Sequence, residues 1–137
     1  KRLSAFCKFK VVELAEEKIK RNNPNESQIS EVINAEGRRI LQKIGQSDYV
    51  VAMCIEGKML SSEELSKTID NVSISGKSTV DFIIGGSYGL SNEIKQRADL
   101  RLSMSRMTFL HQMARMILSE QIYRAFEISS RNSNQPW

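Results

Sequence analysis

Two short apolar runs constrain this chain more than any other feature. Tyr49 to Ile55 is continuously apolar, and Thr79 to Ile84 is a second apolar run that stops at Gly85-Gly86. Runs of this length, bounded by turn residues, fit buried strands. Helical spacing alternates with them. Ile29, Val32, Ile33, Ile40, Leu41 and Ile44 share a face between Ser27 and Ile44, and Gly45 suits a helix stop. Ser61 and Glu64 have capping-box spacing at the head of a helix reaching about Asn71. Cys7 to Ala15 alternates apolar and polar, as a half-buried strand does. Ser91 can cap a short helix through Ala98, and Asp99 to Met104 reads as a short strand. His111 to Ile128 is an amphipathic helix, with Met113, Ile117 and Ile122 or Met116, Tyr123 and Phe126 on its faces. Glu16 to Glu26, Ser75 to Ser78 and Ser105 to Leu110 read as loops or irregular chain, Glu56-Gly57-Lys58 as a turn, and Ser129 onward as a polar, frayed tail. Strands alternating with helices predict an α/β fold: one domain over 1–137 with a mostly parallel sheet flanked by helices.

The 137 residues can bury a core of their own. No stretch is long and apolar enough to cross a bilayer, so no membrane partner is expected. Lys1-Arg2-Leu3-Ser4 is not a signal peptide, and the chain opens without Met, so residues of the natural protein are expected ahead of it. Cys7 and Cys54 lack CxxC spacing and read as reduced core residues of a cytoplasmic protein. One histidine and no cysteine cluster are too few for a zinc site, and no metal is expected.

The formal charge is +4, which favours an anionic partner. After Gly89 the cations are Lys95, Arg97, Arg101, Arg106, Arg115, Arg124 and Arg131, against Glu93, Asp99, Glu120 and Glu127. Arginine suits bidentate phosphate contacts, and a solvated helix face explains the same pattern. Gly85-Gly86-Ser87-Tyr88-Gly89 is neither the dinucleotide fingerprint nor a P-loop. At the carboxyl end of a strand it is a ligand turn or a tight strand-to-helix connection. His111 is a helix N-terminal residue bonded to backbone or carboxylate, or a proton handler. Glu120 and Arg124 are spaced for a helix ion pair, or the arginine faces a nucleic-acid phosphate. The methionines at 104, 107, 113 and 116 read as core or interface filler.

Three segments carry a family resemblance: Glu56 to Ser62, Phe82 to Leu90, and Leu102 to Arg115, the last continuing through Leu118 to Ala125. Together they closely resemble the RlmH (YbeA) family of bacterial ribosomal RNA methyltransferases, over nearly the whole chain and most specifically over Tyr49 to Phe126. The resemblance implies a SPOUT-type domain with a C-terminal trefoil knot, working as a homodimer. It implies S-adenosyl-L-methionine as methyl donor, no metal, and N3 of a pseudouridine in the 23S rRNA of the assembled ribosome as target. Carried over residue by residue, the cofactor positions are Met53, Gly85, Met104, Ser105, Arg106, Met107, Thr108 and Phe109. His111, Arg115, Glu120, Tyr123 and Arg124 match positions near the reaction or the dimer face. The resemblance also implies a strand and helix ahead of Lys1 and a Pro-Tyr-His tail, neither present in this sequence, where Trp137 stands at the tyrosine's place. Two further readings stay open: a non-catalytic RNA- or ribosome-binding SPOUT module, and a SPOUT enzyme acting on another RNA such as tRNA.

Overall fold

A computed structural model describes residues 8–12, 25–85, 89–107 and 111–134, with backbone alone for 8–12, 111, 112, 126 and 130–134. In chain order the elements are β1 (Lys8–Val12), α1 (Glu26–Lys43), β2 (Tyr49–Met59), α2 (Ser62–Ile74), β3 (Thr79–Ile83), α3 (Asn92–Arg97), β4 (Leu100–Ser103) and α4 (His111–Asn134). The sheet order is β1-β3-β2-β4 and every pairing is parallel. This is the expected α/β architecture. Cys7 and the Asn22-Asn23-Pro24 loop lie outside the described residues.

Alternation along the central strands sorts the core onto two faces. Val51, Val80, Phe82, Ile84 and Leu102 pack under α2 and α4 with Leu65, Ile69, Val72, Leu118, Ile122 and Ala125. Val50, Ala52 and Ile83 turn the other way, toward Ile40, Leu90 and Ile94 of the α1 and α3 side. Covering both faces explains why these strands read as continuous apolar runs rather than alternating ones. Burying each large side chain contributes roughly 1.5–3 kcal/mol.

Local chemistry starts the helices. Ser61 Oγ accepts from Glu64 N at 3.0 Å while Ser61 N donates to Glu64 Oε1 at 2.7 Å, the reciprocal box that opens α2. Asn25 and Gln28 build the same device at α1, at 2.9 and 3.0 Å, so the helix begins at Glu26 within the segment expected to be loop. Ser91 caps α3 through the Ile94 amide, as expected.

Two expectations need correction. Glu56-Gly57-Lys58 is not a turn, because β2 continues to Met59. Met53 and Lys58 both register with Leu102, so residues 54–57 bulge out of the ladder before pairing resumes. Gly57 makes this possible: a Cβ there would come within 2.7 Å of the Arg101 carbonyl. Nor does the last helix fray at Ser129. It runs to Asn134, and Ser129 is buried, its Oγ donating to Asp70 Oδ1 at 2.9 Å.

Candidate functional site

The parallel register sets the ends of β3 and β4 beside Met53, where β2 leaves the ladder for its bulge. Ala52 pairs with Ile83 and Met53 with Leu102. Gly85 lies two residues past Ile83, and Met104 two past Leu102. With neighbouring strands about 4.8 Å apart, Met53, Gly85 and Met104 therefore stand side by side at the carboxyl edge, the usual ligand edge of an open α/β sheet. Met53 and Met104 are partly buried against the core. The chain then turns: Ser103 Oγ donates to the Ser105 carbonyl at 2.9 Å, and Met107 N donates to Ser105 Oγ at 3.0 Å. Arg106 and Met107 follow on the surface, Met107 74% exposed. Thr108, Phe109 and Gly86 to Tyr88 lie outside the described residues.

Gly85 packs directly against Gly89. A Cβ on Gly85 would meet the Gly89 carbonyl carbon and oxygen at 2.8 Å. Gly89 has φ +90, a conformation other residues rarely adopt. Both glycines are thus required by backbone geometry before any ligand is considered.

The second group of candidate residues rides on α4. Its seam with α2 is a ladder of polar contacts. Ser62 Oγ donates to Gln121 Oε1 at 2.5 Å, Ser66 Oγ to the Ala125 carbonyl at 3.1 Å, and Ser129 Oγ to Asp70 Oδ1 at 2.9 Å. Each rung joins residues 59 apart, so the two helices run parallel and in register. Because α2 starts just past the carboxyl end of β2, Ser62 marks the sheet's carboxyl edge. Gln121 lies beside it, and the part of α4 before the buried Leu118 projects beyond that edge by about 10 Å at 1.5 Å per residue.

His111 and Arg115 sit on this overhang, and Glu120 and Arg124 lie below it. The backbone of His111 is helical, and its side chain is outside the described residues. Arg115 is exposed and is engaged by a neighbouring group. Glu120 Oε2 accepts from Arg124 Nε at 3.0 Å, the expected i,i+4 ion pair. At half exposure such a pair contributes little to stability. The buried stripe of α4 is Leu118, Ile122, Ala125 and Ser129. Met113 and Met116, read as core or interface filler, and Tyr123 are 50, 68 and 62% exposed, an outward apolar stripe beside Glu120.

The basic lean of the C-terminal third is largely used within the chain. Arg97 Nη2 donates to the carbonyls of Gly45, Gln46 and Asp48 at 3.1–3.3 Å, tying α3 to the loop before β2. Lys95 pairs with Glu56, and Arg101 donates to the Lys95 carbonyl. Glu56 is held below the ordinary carboxylate range, chiefly by its hydrogen bond from Lys95. Cys54, a free thiol beside this cluster, is pushed up, first by burial and then by Glu56. No group of acids, histidines and cysteines among the described residues could hold a metal ion. Nor is any described helix long and apolar enough to cross a membrane. An open depression of about 330 Å³ lined by Tyr49, Thr68, Asn71, Val72 and Ser75 lies at the amino edge of the sheet, opposite the candidate residues.

The polar rungs between α2 and α4 escaped the sequence reading. No local signal joins Ser62 to Gln121, because the contact exists only once both helices lie on the sheet.

A family model described as "Predicted SPOUT methyltransferase" matches residues 1–134. The chain belongs to the SPOUT methyltransferase family. It is 51% identical over 138 residues to the ribosomal RNA large subunit methyltransferase H of Clostridioides difficile (strain 630), covering 100% of this chain and 84% of that protein. Proteins of the same name in Leuconostoc mesenteroides and Streptococcus pneumoniae are 51 and 49% identical, each over 93% of this chain and 80% of the relative. As a SPOUT methyltransferase the protein requires a methyl donor.

Proposed function

We propose that this methyltransferase uses S-adenosyl-L-methionine to methylate N3 of a pseudouridine in 23S rRNA of the assembled ribosome, as a cytoplasmic homodimer. The observation that carries the reading is the half-identity, over nearly all of the chain, to proteins named ribosomal RNA large subunit methyltransferase H.

The carboxyl edge fits the cofactor's chemistry. Met53 and Met104 offer partly buried apolar walls, which suit an adenosine and a thioether-like chain. Gly85, packed against Gly89, keeps the chain compact between these two walls. Ser105, Arg106, Met107, Thr108 and Phe109 would complete the enclosure. When bound, the cofactor supplies an activated methyl group, so the protein's share is alignment and proton removal. His111, in the first turn of α4, would accept the N3 proton. Arg115 and Arg124 carry charge suited to RNA phosphate, with Glu120 orienting Arg124.

The exposed stripe of Met113, Met116 and Tyr123 supports the homodimer, since contiguous exposed apolar surface marks interaction sites. A C-terminal trefoil knot goes with this reading of the fold. The test is mass spectrometry of 23S rRNA from cells with and without the gene. Loss of one methylated pseudouridine is expected, and an unchanged methylation pattern refutes the proposal.

A further inference from the structure

We propose that Ser62 and Gln121 are positioning residues for Arg124, acting through Glu120. The inference rests on the reading above, in which Arg124 serves the reaction.

The contacts form one chain. Ser62 Oγ donates to Gln121 Oε1 at 2.5 Å, Gln121 Nε2 donates to Glu120 Oε1 at 3.0 Å, and Glu120 Oε2 accepts from Arg124 Nε at 3.0 Å. The order of donors and acceptors fixes the glutamine amide. Turned over, it would set its carbonyl oxygen against the Glu120 carboxylate, acceptor against acceptor.

Adjacent helix residues do not normally face each other, so Gln121 spans two faces of α4. One end of its amide reaches the α2 seam and the other reaches the outward surface. A half-exposed ion pair on one helix is held weakly by itself. Here both carboxylate oxygens are engaged, one by the arginine and one by a side chain anchored on a second helix. Arg124 is gripped through Nε, and among the described residues its two terminal amino groups make no hydrogen bond. A guanidinium held this way presents its outer edge to a ligand with two acceptor oxygens, which matches a nucleic-acid phosphate. The position agrees: Ser62 marks the carboxyl edge where Met53, Gly85 and Met104 converge.

The other rungs of the seam supply the control. Ser66 is buried and bonds the Ala125 carbonyl one turn along, with no link to Glu120. The experiment uses the intact protein with tritiated S-adenosylmethionine and assembled ribosomes from cells lacking the gene. Ser62→Ala and Gln121→Leu should each lower kcat about ten- to a hundredfold, the scale of a small misplacement, with KM for the cofactor unchanged. Ser62→Thr should restore activity, and Ser66→Ala should leave it at the wild-type level. In parallel, the Arg124 Nε–H signal in nitrogen-15 NMR, assigned by its loss in Arg124→Lys, should broaden in Ser62→Ala and Gln121→Leu but not in Ser66→Ala. An equally sharp signal in Ser62→Ala overturns the proposal whatever the activity. So does an equal loss of kcat in Ser62→Ala and Ser66→Ala, which would make the seam merely structural. If the wild-type protein methylates no ribosomal particle, the functional reading fails while the NMR arm still decides the relay.

Discussion

A methyl group added at Gly85 would sit 2.8 Å from the Gly89 carbonyl, a separation that only a backbone shift can relieve. Gly85→Ala should therefore destabilise the fold by about 1–3 kcal/mol, the usual cost of overpacking. It should also weaken S-adenosylmethionine binding, because the shift falls on the edge shared with Met53 and Met104. Thermal melts and isothermal titration check the two parts, and unchanged affinity would separate the turn from the cofactor. Cys54 makes a different residue-scale prediction. Burial and the neighbouring Glu56 raise its pKa, outweighing Lys95 and Arg101, so the thiol stays protonated at a pH where an ordinary cysteine begins to ionise. Alkylation at pH 8, followed by peptide mapping, should run slower at Cys54 in the folded protein than in the urea-unfolded chain.

At the scale of elements, α2 depends on its capping box. Ser61→Ala should cost about 1 kcal/mol in denaturant melts at neutral pH. Glu64 has a lowered pKa because it accepts the Ser61 amide and faces its hydroxyl. A carboxyl with a depressed folded-state pKa stabilises above its unfolded value, and that share is lost as pH falls through the folded one. The stability difference between wild type and Glu64→Ala should accordingly shrink in acid, measured by the same melts across pH. Helix α4 shows what periodicity alone leaves open. Its apolar residues permit more than one inward face, and the ladder to α2 selects Leu118, Ile122 and Ala125.

For the whole molecule, the overhang of α4 is the feature with most consequence. It carries Met113 and Met116 past the edge of the sheet, with Tyr123 continuing the stripe below. If that stripe joins two copies, Met116→Lys should turn the dimer into a folded monomer, because Met116 is 68% exposed and contributes little to this chain's own core. Light scattering would show the halved mass, with circular dichroism unchanged. A variant that stays dimeric would move the interface elsewhere.

Much of the architecture was written locally. The apolar runs at Tyr49 and Thr79, the Ser61 box and the Ser91 cap each act within a few residues, and each appears in the fold as expected. The three family segments were equally legible, because motif spacing is linear information. Tertiary structure decided the rest. Glu56-Gly57-Lys58 read as a turn, yet became strand because Gly57 can lie against the Arg101 backbone. Ser129 read as tail, yet became buried helix because Asp70 waits 59 residues upstream. The same interval joins Ser62 to Gln121 and so ties Glu120 and Arg124 to a second helix. Such contacts have no local signature. They arise when both helices are laid parallel on one face of the sheet, and only that packing brings their polar rungs into register.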